Sequence, residues 1–112
     1  MRMRSILLML ASVALVSALA VAGKAQTSGE ITGLVTDSSG AALSGATVTV
    51  TNKATSATRT AVTNGEGLYS FPSLPPGLYE LKVEQGGFKT ARLDNITLEV
   101  QQTARLDVKM EI

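Results

Sequence analysis

Gly45-Ala46-Thr47-Val48-Thr49-Val50-Thr51-Asn52 alternates without a break, with Ala46, Val48 and Val50 on one face and Thr47, Thr49 and Thr51 on the other. Successive side chains of a strand point to opposite faces, and β-branched residues suit a pleated, half-buried surface. The stretch therefore reads as a strand with a core side and a wet side. On a helix the same residues would scatter threonine over every face. Upstream, Ile31, Gly33 and Val35 alternate with Thr32, Leu34 and Thr36, and Asp37-Ser38-Ser39-Gly40 supplies turn chemistry. Downstream, the polar residues 53–57 lead into a β-branched run over 58–63, which ends in Asn64-Gly65-Glu66-Gly67.

Leu68-Tyr69-Ser70-Phe71 follows, with Tyr69 and Phe71 on one face. Pro72-Ser73-Leu74-Pro75-Pro76-Gly77 is expected to break the ladder and form a crossing loop, because proline has no N–H to donate. In residues 78–84, Tyr79, Leu81 and Val83 face inward while Glu80, Lys82 and Glu84 face water, and Gly86-Gly87 ends the run. Three weaker segments, 88–93, 96–100 and 104–110, complete the series. Short strands with turn residues every eight to twelve positions indicate an all-β sandwich or barrel. Seven or eight strands in a Greek-key β-sandwich are expected, and no repeat of solenoid period is visible.

Residues 1–25 do not fit this pattern. The chain opens Met1-Arg2-Met3-Arg4, runs apolar from Ile6 to Ala22 with Ser12 and Ser17 as interruptions, and reaches Gly23-Lys24-Ala25 before Gln26. A basic start, an apolar run and a small-x-small exit make a helical secretory signal peptide over 1–25, leaving 26–112 as the domain. Ala18-Leu19-Ala20 is a second cleavage candidate, and an uncleaved anchor is the alternative, the run being near the lower limit for a membrane span. An exported product, in the periplasm, at the outer membrane or secreted, is the corresponding expectation. The only direct membrane contact expected is through this leader or a receptor context.

The whole chain holds ten basic and nine acidic groups, but Arg2, Arg4 and Lys24 lie in the leader. Residues 26–112 thus carry seven basic against nine acidic groups, a formal charge of −2. A nucleic-acid surface calls for a basic stripe, so no nucleic-acid partner is expected. With no His and no Cys there is no imidazole base, no thiolate nucleophile, no disulfide and no zinc site of the usual kind. Sheet closure has to supply the stability that small exported domains often draw from disulfides.

Five stretches then carry a resemblance: Gly29-Glu30-Ile31-Thr32-Gly33-Leu34-Val35-Thr36-Asp37; Gly45-Ala46-x-Val48-x-Val50; Thr63-Asn64-x-x-Gly67-x-Tyr69-x-Phe71; Leu74-x-x-Gly77-x-Tyr79-x-Leu81-x-Val83; and Gly87-Phe88. Together they resemble the carboxypeptidase regulatory-like domain across residues 29–110. The resemblance implies a transthyretin-like, prealbumin-type sandwich. It also implies kinship with the periplasmic N-terminal extensions of TonB-dependent outer-membrane receptors, including the Oar-like group, and with surface, adhesion and carbohydrate-associated modules. The peptidase domain that gave the family its name is a separate unit, so no carboxypeptidase activity is implied.

Gly33, Asp37, Gly45, Ala46, Asn64, Gly67, Tyr69, Phe71, Gly77, Tyr79, Gly87 and Phe88 are read as structural motif positions. Gly33 leaves room for a close approach, Gly67 and Gly77 suit unusual turns, and Tyr79 packs its ring while its hydroxyl finds a backbone partner. No catalytic, cofactor or metal residues are assigned. A hydroxyisourate hydrolase would use histidines, which are absent. Glu80 and Glu84 alternate with Lys82 and read as a solvated face rather than a glycosidase pair. Asp37 alone is too few carboxylates for calcium and reads as an Asx turn. A Lys53–Asp107 isopeptide is a minor alternative, and the sequon Asn95-Ile96-Thr97 is taken as a turn. The expected function is a non-catalytic accessory or interaction module with a protein or glycan partner. The competing reading is a stand-alone carbohydrate-binding or adhesion module acting through loops 38–45 and 72–77 at one end of the sandwich.

Overall fold

The computed structural model describes residues 27–112, so the signal-peptide reading of 1–25 lies outside the described residues. Eight strands follow one another: β1 (Gly29–Thr36), β2 (Thr47–Asn52), β3 (Thr58–Val62), β4 (Leu68–Leu74), β5 (Gly77–Glu84), β6 (Ala91–Leu98), β7 (Thr103–Arg105) and β8 (Val108–Lys109). One sheet has the order β4-β1-β7, with β8 also on β1; the other has the order β3-β2-β5-β6. The expected all-β Greek-key sandwich is present. Its two sheets meet through the alternating faces seen in the sequence, so Ile31 and Val35 of β1 pack with Val48, Val50, Phe71, Tyr79, Leu81, Val83, Leu98 and Met110 in one core. Among the described residues no helix is long and apolar enough to cross a membrane.

Three local expectations are corrected. Pro72 does not end its strand, because β4 runs on to Leu74. β4 lies at a sheet edge, where a missing N–H removes no ladder bond. The extra residue is absorbed by a bulge: Ile31 pairs with Phe71 but Gly29 with Leu74, and Ser73 takes φ +57°. The crossing between sheets is therefore only Pro75-Pro76. Likewise, segments 88–93 and 96–100 are not two strands. Residues 91–93 of the first and 96–98 of the second join in β6 through a second bulge at Asn95, φ +56°, where the register shifts between Tyr79↔Ile96 and Leu81↔Leu93. The sequon thus sits within a bulged strand, and Val100 is exposed beyond its end.

The register also defines two ends. Gly29 pairs with Leu74 and Gly77 with Leu98, so the links 53–57, 75–76 and 99–102 gather at one end. Thr47 pairs with both Val62 and Glu84, which places 37–46, 63–67 and 85–90 at the other. Loops 38–45 and 72–77 are therefore at opposite ends, not at one. A single site cannot draw on both.

Candidate functional site

At the end formed by 37–46 and 63–67, polar side chains satisfy their own turns. Asp37 Oδ1 accepts bonds from Ser39 N (2.9 Å), Ser39 Oγ (2.6 Å) and Ala41 N (3.1 Å), an Asx turn. The Ser39 hydroxyl, aided by these backbone N–H groups, holds the Asp37 carboxyl below the usual carboxylate range. Asn64 Oδ1 accepts from Glu66 N (2.9 Å) and Leu68 N (3.0 Å). Gly67 takes φ +77°, and a Cβ there would stand 2.7 Å from the Val35 carbonyl oxygen. Gly45 donates its N–H to the Thr63 carbonyl, and Ala46, fully buried, donates to Thr63 Oγ1 (2.9 Å), whose hydroxyl donates to the Leu43 carbonyl (2.6 Å). Gly87 turns the chain before Phe88, which is half-buried against the core.

Gly33 lies mid-sheet. A Cβ there would collide with the Leu106 carbonyl and stand 2.6 Å from the Tyr69 hydroxyl. This absence of a side chain lets Tyr69 Oη donate to Leu106 O at 2.5 Å and tie β4 to the link between β7 and β8. Burial pushes the Tyr69 phenol up, and the Asp107 charge adds to it.

The opposite end holds a socket of about 160 Å³ lined by Val50, Asn52, Thr55, Ala57, Arg59, Leu74, Pro75 and Tyr79. Gly77 opens the strand that carries its floor. Tyr79 is buried, and its hydroxyl donates to Pro75 O at 2.5 Å. Asn52, also buried, accepts Ala54 N (3.0 Å) and Thr55 N (3.3 Å) at Oδ1, while its Nδ2 is 3.5 Å from the Tyr79 hydroxyl. Arg59 stands at the mouth. It donates to Pro72 O at 2.6 Å, with its guanidinium carbon 6.0 Å from the centre of the Phe71 ring.

Sequence reasoning left Arg59, Asn52 and Pro75 unassigned because Arg59 falls within a β-branched run, Asn52 ends a strand and Pro75 lies in a stretch read as a crossing loop. A signal was available: Arg59 pairs with Val50 and shares its parity with Ala61 and the buried Thr63. The alternation therefore aims Arg59 toward the core side at an open edge.

The acids singled out earlier are neutralised separately. Glu80 pairs with Arg92 and Glu84 with Lys82, each at 3.0 Å. Lys53 pairs with Asp94 at 2.7 Å, which holds the Asp94 carboxyl low, whereas Asp107 accepts Leu34 N and faces Arg105. The minor Lys53–Asp107 cross-link is thus disfavoured by where each side chain is engaged. Among the described residues no three His, Cys, Asp or Glu side chains come together as metal ligands. Tyr69, Phe71 and Tyr79 are buried, and the Tyr69 and Phe71 rings are tilted at 57° to one another. They form no exposed, coplanar platform for a sugar ring.

Sheet order, core and paired bulged edges define an all-β, two-sheet sandwich. The sequence profile of the carboxypeptidase regulatory-like domain matches residues 30–111, and the chain belongs to that family. It is 36% identical over 63 residues to the TonB-dependent transporter Oar of Myxococcus xanthus, covering 56% of this chain and 6% of the transporter. A protein described as carbohydrate-binding from Bacteroides uniformis superposes with a TM-score of 0.61 at 18% identity, covering 74% of this chain and 41% of that one. Chlorocatechol 1,2-dioxygenase from Pseudomonas putida gives 0.57 at 16% identity, covering 75% and 60%. The chain spans less than two thirds of each of these proteins. Structural neighbours as different as these two share a fold and not a function.

Proposed function

We propose that this chain is a non-catalytic, exported interaction module that works in the setting of a TonB-dependent outer-membrane receptor, in the manner of a periplasmic N-terminal domain. The observation that carries the reading is the 36% identity with a domain-sized part of the Oar transporter. The arrangement of polar groups agrees with it. The carboxylates of the ladder are paired with cations, the turn acids bond their own backbone, and the buried hydroxyls donate to carbonyls. None of these groups is poised as nucleophile or base. A formal charge of −2 on residues 26–112 favours a protein or small-molecule partner over a nucleic acid. The carbohydrate reading has less to build on, with its two loops at opposite ends and three of four aromatic rings buried.

The test is to express the full chain with a C-terminal tag in a Gram-negative host, fractionate the cells, and sequence the N-terminus of the product. The expected product starts at Gln26 and sits in the periplasm or envelope. A cytosolic product retaining Met1 overturns the export claim. Turnover of peptide or ester substrates above that of a Tyr79→Ala control overturns the non-catalytic claim.

A further inference from the structure

We propose that the socket at the Pro75 end binds a small organic monocarboxylate, with a tail the size of a phenyl ring in the cavity and its carboxylate on Arg59. This rests on reading the domain as a binding module, and not on its export. The cavity holds about 160 Å³, and an apolar cavity of roughly 150 Å³ is known to take a benzene ring. Pro75 and Ala57 supply accessible apolar walls, and behind them Val50, Leu74 and the Tyr79 ring form a floor that is at most 2% exposed. The polar atoms nearest them are already engaged: the Tyr79 hydroxyl with Pro75 O, and Asn52 Oδ1 with two backbone N–H groups. A tail entering there meets hydrocarbon rather than competing donors.

The head group follows from charge. Lys53, Lys82, Arg92 and Arg105 each face a carboxylate within 3.2 Å. Arg59, Lys89 and Lys109 have no carboxylate partner among the described residues, and of these only Arg59 lines the socket, held there by the Pro72 carbonyl and the Phe71 ring. A guanidinium carries five N–H donors in a rigid fork, and the bond to Pro72 O occupies one of them. A cation fixed in place with unused donors matches a carboxylate's two oxygens at little ordering cost. The same geometry gives a neutral head group no comparable partner.

The experiment is an NMR titration of the full chain with phenylacetate, and with phenylacetamide as the uncharged analogue of the same shape. Phenylacetate is expected to shift the methyl signals of Val50, Ala57 and Leu74 and to saturate in the millimolar range. Binding is expected to weaken about tenfold with the amide, and about tenfold in Arg59→Gln, which removes the charge-assisted contact. Lys109→Gln, which removes a cation on β8 near the other end, should leave it unchanged. Equal binding of acid and amide, unchanged binding in Arg59→Gln with a native melting curve, or no saturable shift overturns the proposal. Phenylacetate binding by a chain that stays cytosolic would break the export reading and leave this one standing. Export without binding would do the reverse.

Discussion

The two ends of this sandwich treat polar groups in opposite ways. At the end built from 37–46 and 63–67, Asp37, Asn64 and Thr63 direct their oxygens and hydroxyl into the turns that carry them, and little bonding capacity is left for a ligand. At the other end the turn oxygens are also satisfied, but behind an apolar socket whose mouth holds a cation without a carboxylate partner. The motif residues most visible in the sequence thus serve the fold, whereas the end with capacity for a ligand is marked by residues that look ordinary. If that contrast holds, changes at the first end should move stability alone, and changes at the second should move binding as well.

The largest expected effect is at the socket floor, where ligand wall and core are the same side chain. Tyr79→Ala should cost about 3–5 kcal/mol, lowering the melting temperature by on the order of 15 °C. A calorimetric midpoint equal to that of the parent would mean that the floor is not part of the core. Next is Gly67→Val, which places a β-branched side chain at positive φ against the Val35 carbonyl. A cost of about 2–3 kcal/mol is expected in urea unfolding. Weaker phenylacetate binding at unchanged stability in this variant would break the contrast between the ends. Asn64→Ala strips the acceptor from two backbone N–H groups near water, and about 1 kcal/mol is expected by the same measurement.

The smallest effect is read against pH. The Asp37 carboxyl lies below its usual value in the folded state, so its contribution is present above the unfolded pKa of about 3.9 and is lost as pH falls through the lowered folded value. Asp37→Asn should therefore flatten the acid limb by lowering stability slightly at neutral pH, while variant and parent converge below the lowered folded value. Identical acid limbs for both proteins would show that the Asx turn carries no such linkage.

Much of the fold was legible because burial and alternation coincide. β1, β2 and β5 show strict period-two burial, and their inward residues are those the alternation selects. Two of the misreadings share one cause. Ser73 and Asn95 each add a residue to one strand and take positive φ, which shifts the pairing without leaving a hydrophobic signature. Pro72 looked like a terminator because its effect depends on whether the strand is at an edge, a property of sheet order and not of local sequence. The socket was hidden for a similar reason. Arg59 reaches it only because β3 is an edge strand beside β4, so that its side chain closes over Phe71 and Pro72. Asn52 and Pro75 meet Arg59 only once both sheets are assembled.

The central place of β1 sets an order in time. Its neighbours in the sheet are β4 and the parallel strands β7 and β8, and Leu34 N bonds Asp107, 73 residues away. The hairpins β2–β3 and β5–β6 require only local closure, which is a matter of about 1–10 μs. The sheet around β1 has to wait for the far end of the domain, and sandwiches dominated by such distant pairings fold on the order of milliseconds to seconds. The socket floor on β5 therefore has its hairpin partner early. Its Leu74 wall, on β4, is fixed only when β4 has met β1, across about forty residues of chain.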